Sequence, residues 1–261
     1  MSVPGQGVRR GAAPGDGAVA LRDNIAQVIR RALPHEALSA FRRQVEEPAV
    51  VPDGHGYWER TGDGSVRLCR VERFTEVYAS ASALLAAAQG IAGDGFGAAA
   101  VLMKDKLNIK YHGGGGYRCH QDSQAYPAWM TPVLTVGFAV TACDTSRGGL
   151  FFAPGVDRLL PVDERGCVTV DEQRPLSFEC PELEPGDAAV FSGFVPHYSG
   201  ANAAAEPRML ALLTFAPRPD DIRSEGDLRD RYYRWREERI RASGTNRLST
   251  IDDFSGTLVE F

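Results

Sequence analysis

The sequence predicts a mainly β protein with flanking α-helices, and three observations carry that prediction. Between residues 98 and 217 the chain breaks into short runs of β-type residues separated by Gly, Pro and Asp. Helical spacing is confined to stretches on either side of that block. The chain has 261 residues, of which 43% are hydrophobic and 24% charged, enough for one sizeable core. Many short strands with turns between them indicate a sandwich or barrel rather than a parallel α/β sheet.

Taken in order, residues 1–18 are rich in Gly, Pro and Arg, and are expected to form a disordered tail before one domain spanning 19–261. In residues 21–45, Ile25, Val28, Ile29, Leu33, Leu38 and Phe41 recur at helical spacing, and Pro34 divides the stretch into two helices. Residues 54–64 form a turn-rich hairpin region leading into a strand at 65–70, and 80–90 is an Ala- and Leu-rich helix. The β core, about 98–217, offers strands at 101–111, 133–143, 150–153, 176–178, 188–192 and 209–215. Residues 226–242 return to helical spacing, with Leu228, Tyr232, Trp235 and Arg239 on one stripe.

Composition excludes several function classes. Net charge is −5, so no global basic field attracts nucleic acid or an anionic membrane. No apolar stretch approaches the roughly 20 residues of a membrane span, and the N-terminal residues lack the apolar run of a secretion signal. Cys69, Cys119, Cys143, Cys167 and Cys180 are odd in number and form no CxxC pair, which favours reduced thiols in a cytoplasmic protein. The expected partner is a small-molecule substrate.

The residues that carry chemistry begin with His120-Gln121-Asp122. In an extended segment, residues two apart point to one side, so imidazole and carboxylate can grip one ion. His197 follows the strand at 188–192. Two histidines and one carboxylate on one face of a metal leave its other positions open, the facial arrangement of non-haem iron(II) oxygenases. Arg208 lies eleven residues after His197 and opens the next strand, sharing a face with Leu210, Leu212 and Thr214. Its guanidinium can pair with the far carboxylate of a dicarboxylate chelator, and Ser199 can donate a hydroxyl to the same group. An isolated HxD is weak; HxD, then a distant His, then Arg on a strand is far more specific.

The lysines add a separate signal. The chain holds 26 arginines and three lysines, Lys104, Lys106 and Lys110, all in one strand with Asn108 between them. At a period of two they share a face with Leu102, opposite Val101, Met103, Leu107, Ile109 and Tyr111. A solvated edge strand is one reading; a polar face at the mouth of an active site, suited to an anionic group, is the favoured one. Residues 113–116, four glycines, lack the GK[ST] of a phosphate loop and read as a flexible hairpin tip. Tyr126 and Trp129 belong either to the core or to a lid.

Together, residues 104–110 (KDKLNIK), 113–117, 120–126 (HQDSQAY), 149–155 (GLFFAPG), Gly186-Asp187 and 197–208 resemble the phytanoyl-CoA dioxygenase family, in particular its bacterial branch related to ectoine hydroxylase. The resemblance runs from about Tyr57 to Tyr233. It implies a double-stranded β-helix, the cupin-like jelly roll, holding iron(II) on His120, Asp122 and His197. It implies 2-oxoglutarate and dioxygen as co-substrates, with Arg208, Ser199, Asn108 and Tyr126 on the 2-oxoglutarate side. Lys104, Lys106 and Gln124 fall where relatives contact substrate. Related halogenases lack the carboxylate supplied here by Asp122, so oxygen transfer is favoured over halide transfer. Where many relatives carry a bulky aromatic, this chain has small residues around 139–141, implying a roomier pocket. Two other readings stay open: a cupin-like metal enzyme that does not use 2-oxoglutarate, and a non-catalytic binding protein on the same scaffold.

Overall fold

The computed structural model describes residues 9–10, 25–47, 51–218, 225–244 and 248–259. In chain order they form β1 (Arg9–Arg10), β2 (Ala26–Ile29), α1 (His35–Glu46), β3 (Gly56–Arg60), β4 (Val66–Glu72) and the single turn α2 (Phe74–Val77). Next come α3 (Ser82–Phe96), β5 (Ala100–Lys110), β6 (Tyr117–His120), β7 (Leu134–Ala139), β8 (Leu150–Phe152) and the single turn α4 (Val170–Gln173). Then follow β9 (Ala188–Ser192), β10 (His197–Ser199), β11 (Arg208–Pro217), α5 (Glu225–Ala242) and β12 (Thr257–Val259).

Two sheets result. The larger runs β1-β2-β9-β7-β11-β5-β4-β3-β12, and the smaller runs β6-β10-β8. Apart from the parallel β1–β2 contact, neighbours pair antiparallel. Alternation sorts the side chains of β11: Met209, Ala211, Leu213 and Phe215 join the core under the helices, while Leu210 and Leu212 face the small sheet. On the helical side, Leu38 and Phe41 of α1 and Leu84, Ala88 and Ala92 of α3 are buried against the large sheet. On the other side Leu150 and Phe152 of β8 pack against Phe191 and Leu212. This two-sheet, helix-buttressed arrangement is the expected jelly roll.

Several expectations change. The first helix, expected from residue 21, is not formed over 25–33, and 21–24 lie outside the described residues. Ala26–Ile29 is instead a strand paired with β9, its Ala26 and Val28 buried and its Gln27 and Ile29 half-buried. Val28 and Ile29 are β-branched, and a sheet edge with apolar cover outweighs the weaker helical spacing. Residues 176–178 form no strand; a single bridge joins Glu179 to Phe152. Of the tail at 1–18 only Arg9–Arg10 are described, paired to β2, and the rest lie outside the described residues.

The lysine strand is no edge, because β5 lies between β11 and β4. Its two faces are also not those of a straight count. The register shifts opposite Thr214/Phe215, and this bulge carries Leu102 to the helical core with Leu107 and Ile109, while Val101 and Met103 join the cluster of Tyr126 and Tyr232. The glycines at 113–116 are packed rather than flexible. A Cβ on Gly116 would lie 2.4 Å from the Ser199 carbonyl oxygen, so only glycine lets this crossing lie against β10.

Candidate metal centre and cavity

The pairing of β6 with β10 sets His120 opposite His197, with ring centroids 4.3 Å apart. His120 Nδ1 lies 2.7 Å from the Arg118 carbonyl oxygen and His197 Nδ1 lies 3.0 Å from that of Val195. A carbonyl only accepts, so each Nδ1 carries the proton and each Nε2 presents its lone pair inward.

Asp122 does not continue the strand. Gln121 is extended, and Asp122 opens a short 3-10 turn, Asp122–Ala125. Its Oδ1 lies 3.9 Å from His120 Nε2 and 4.0 Å from His197 Nε2, and its Oδ2 accepts a hydrogen bond from Thr135 Oγ1 at 2.9 Å. The three ligand atoms all lie within 4.8 Å of one another, and all three residues are buried. The turn is fixed from behind by Ser123 N donating to Gly193 O. A Cβ on Gly193 would meet Ser123 Oγ at 2.3 Å and Val133 Cγ2 at 2.4 Å. Between the ligands, Gln121 points the other way. Its amide donates to the carbonyls of Arg158 and Phe194 and accepts from Leu160 N.

Burial alone would raise the Asp122 carboxyl, but His197, Lys106 and His120, with the Thr135 hydrogen bond, bring it down to about 2. Burial, reinforced by His120, lowers His197 to about 4. Near neutral pH the site therefore offers a carboxylate and a neutral His197 imidazole, the forms a metal binds.

A small cavity opens on these ligands. Lys106, Asn108, Tyr117 and Ser199 give it a polar side, and Phe191 and Leu212 an apolar one. Beyond Ser199 lies a cationic pair: Lys110 and Arg208 are directly paired across β5 and β11. Lys110 Nζ donates to Ser199 Oγ at 2.8 Å and to Gly200 O at 2.5 Å. Arg208 is 1% exposed. Its Nη2 donates to Gly148 O at 2.8 Å, and its Nε and Nη1 are buried without a partner. Burial, with Arg208 alongside, holds the Lys110 ammonium well below the usual lysine range.

The predicted residues divide accordingly. Lys106, Asn108 and Ser199 line the cavity, and Arg208 stands behind Ser199. Lys104, Gln124 and Tyr126 are not brought to it. Lys104 is buried with its Nζ 3.9 Å from Glu72 Oε1. Gln124 Nε2 is bound to Leu160 O. Tyr126 packs in the core with Met103 and Tyr232, its hydroxyl 3.4 Å from Thr214 Oγ1. Trp129 is 37% exposed, under Arg231. Ala139 is buried between the sheets and adds no space to the cavity.

Sequence reasoning missed an ion cluster behind Asn108. Arg70 Nε donates to Asn108 Oδ1 at 2.9 Å, and Arg70 also reaches Glu72, Leu248 O and the Tyr117 hydroxyl. Arg236 of α5 meets the same Glu72 oxygen at 3.3 Å. It also missed Asp253, buried with its Oδ2 3.5 Å from His120 Nε2. Neither stands in a motif; each is assembled by strands and a C-terminal segment remote in sequence.

A jelly roll with a buried His-Asp-His group and a cavity on it is the architecture of a mononuclear metal oxygenase. The family model for phytanoyl-CoA dioxygenase matches residues 16–210, and the chain belongs to that family. It is 36% identical over 201 residues to the methylphosphonate hydroxylase of Gimesia maris, covering 74% of this chain and 75% of that protein. It is 31% identical over 190 residues to the 2-aminoethylphosphonate dioxygenase of an uncultured bacterium, HF130_AEPn_1, covering 70% and 71%. Among solved structures it is similar to EctD from S. alaskensis, solved with 2-oxoglutarate and 5-hydroxyectoine. That likeness has a TM-score of 0.64 at 18% identity, covering 78% of this chain and 77% of that one. The chain is thus an oxygenase of the iron and 2-oxoglutarate class. The residues present fit both groups: the donor set suits iron(II), and the orphaned Arg208 nitrogens suit a carboxylate.

Proposed function

We propose that this protein is an iron(II)- and 2-oxoglutarate-dependent hydroxylase of a small anionic metabolite, a phosphonate being the favoured class. The observation that carries the co-substrate is Arg208, a buried guanidinium with two nitrogens unpartnered beside Lys110 and close to Ser199. Such a site lacks only an oxyanion. His120, Asp122 and His197 would hold the iron; Arg208, Lys110 and Ser199 would hold the distal carboxylate of 2-oxoglutarate. When bound, these groups supply the oxidative decarboxylation that activates dioxygen for attack on a C–H bond.

The chain's own part is binding and exclusion. Lys106 presents an ammonium to the cavity, with Arg70 behind it on Asn108. This charge suits the substrates named for the two relatives, both phosphonates. Phe191 and Leu212 keep water from the reacting face. The carboxylate of Asp122 would hold the iron where related halogenases leave room for a halide, which favours hydroxylation. The five cysteines are all free, which suits a reducing cytoplasm; among the described residues no helix is long and apolar enough to cross a membrane.

The test is succinate release from labelled 2-oxoglutarate by the iron-loaded protein, with a panel of phosphonates, amino acids and betaines. Phosphonate-dependent succinate with a hydroxylated product is the expected result. Turnover stimulated by another class and not by phosphonates would replace the substrate assignment. Absence of any 2-oxoglutarate consumption in iron-loaded protein would remove the co-substrate assignment.

A further inference from the structure

Two groups of opposite charge stand near the metal ligands: Asp253, buried without the partner that burial demands, and Lys106, half-buried on the cavity wall. Asp253 is 5% exposed. Among the described residues its Oδ1 has no hydrogen-bond partner, and its Oδ2 has only His120 Nε2, at 3.5 Å. That nitrogen is the one turned toward the metal, so it gives the carboxylate no proton. Lys106, on the cavity wall, likewise makes no hydrogen bond or ion pair among the described residues. A buried carboxylate left so is destabilising, and native proteins rarely keep one without a reason.

The two charges sense each other but do not touch. Asp253 acts electrostatically on Lys106, on Arg70 and on Tyr117, yet no lysine or arginine nitrogen comes within 4.0 Å of its carboxylate among the described residues. Lys106 lines the cavity on the metal ligands, and Asp253 approaches the same ligand set from the side of His120. Asp253 is also not a fourth ligand of the group, because among the described residues only His120, Asp122 and His197 place their atoms within 4.8 Å of one another.

The position of Asp253 is built. Its backbone carbonyl accepts from Arg118 N, and Ser255 N donates to Gly116 O, so the C-terminal segment is stitched onto β6 and the glycine crossing. Phe254 packs on Tyr117, ring centroids 5.2 Å apart. Asp253 lies beyond residues 16–210, the part matched by the family model, on the C-terminal segment.

We propose that Lys106 and Asp253 form a substrate-recognition pair: the ammonium takes an oxyanion, and the carboxylate takes a hydrogen-bond donor elsewhere on the same small molecule. The substrate class is then an oxyanion, phosphonate in the reading above on which this rests, that also carries an amino or hydroxyl group. A bare alkyl phosphonate would leave Asp253 buried and unmet. A site built around a polar group discriminates strongly against an analogue lacking it.

The experiment titrates nickel(II)- and 2-oxoglutarate-loaded protein with 2-aminoethylphosphonate, 2-hydroxyethylphosphonate and ethylphosphonate by calorimetry. The first or second should bind about ten- to hundred-fold tighter than the third, as a hydrogen bond to a charged group provides. The amino compound leading assigns an ammonium, the hydroxy compound a hydroxyl. Asp253→Asn and Asp253→Ser should erase the preference while leaving ethylphosphonate and nickel affinity in place; Lys106→Met should weaken all three. Ethylphosphonate binding as tightly as the others to the unaltered protein overturns the pair, whatever the variants do. So does a loss of nickel in both Asp253 variants, which would make Asp253 a metal ligand. Binding of none of the three, with 2-oxoglutarate still bound, ends the phosphonate reading and the pair with it.

Discussion

His120 and His197 sit directly opposite each other on β6 and β10, and their facing Nε2 atoms define where a metal can sit. Both rings are aimed by backbone carbonyls two residues upstream, Arg118 and Val195, so strand geometry alone fixes their orientation. Asp122 completes the group from a turn, and Thr135 on β7 holds its outer oxygen.

Removing one ligand should therefore empty the site without unfolding the protein. His197→Ala should abolish binding of cobalt(II), followed by its visible absorption, while circular dichroism stays that of the folded chain. Thr135→Val, which frees Asp122 Oδ2, should cost about 10- to 100-fold in metal affinity, the usual effect of losing a group that orients a ligand. Unchanged cobalt affinity in Thr135→Val would show that Asp122 does not depend on this bond.

Arg208 makes a different prediction. Its fork has two free nitrogens, so Arg208→Ala should raise the KM for 2-oxoglutarate by roughly 10- to 100-fold, the worth of one charged hydrogen-bonded contact. Cobalt affinity should hold. Arg208→Lys should recover only part of the loss, because a point charge cannot reproduce the fork and Lys110 already supplies one. Equal KM in the unaltered protein and Arg208→Ala would place the co-substrate elsewhere.

What was legible in the sequence follows from how local each signal is. His120, Asp122, His197 and Arg208 stand in short motifs beside strongly apolar strands, and the strands of the core follow the alternation of their residues. The strand at 26–29 was not legible, because its pairing with β9 lies in the fold and its apolar spacing also fits a helix. The bulge at the start of β5 shifted the count of faces, since one inserted residue reverses every side chain before it. Glu72, Arg70, Arg236 and Asp253 are common surface residue types; only their joint burial marks them, and that is set by contacts between segments remote in sequence.

Glu72 is where that hidden cluster can be tested. Burial works to raise its carboxyl, but Arg236, Lys104, Arg70 and Lys106 outweigh it and bring Glu72 down to about 2. Glu72→Gln would leave these cations facing one another without their counter-charge. It should cost about 3–5 kcal/mol in urea unfolding, the usual effect of removing one partner of a buried ion pair. Adding Lys104→Met, which removes a buried amine left without its counter-charge, should recover part of it. A loss below about 1 kcal/mol would mean that the cations find other neutralisation.

The pH dependence of the metal-free protein gives the last prediction, and its sign follows from His197. Its imidazole falls from the ordinary 6.5 to about 4 because burial, and then His120, oppose its charge. Between those values the unfolded chain holds a proton that the folded chain does not, so acid draws the equilibrium toward unfolding. Stability should be highest above about pH 6.5, decline as pH falls toward 4, and gain no further slope from this group below that. Asp122, lowered to about 2 from 3.8, adds its own loss only below about pH 4, so the two windows separate. Urea midpoints measured from pH 7 to pH 4.5 should show the decline in the unaltered protein and a flatter profile in His197→Gln. Identical slopes in the two would mean that His197 is protonated in the folded metal-free state, and that the metal must displace a proton to bind.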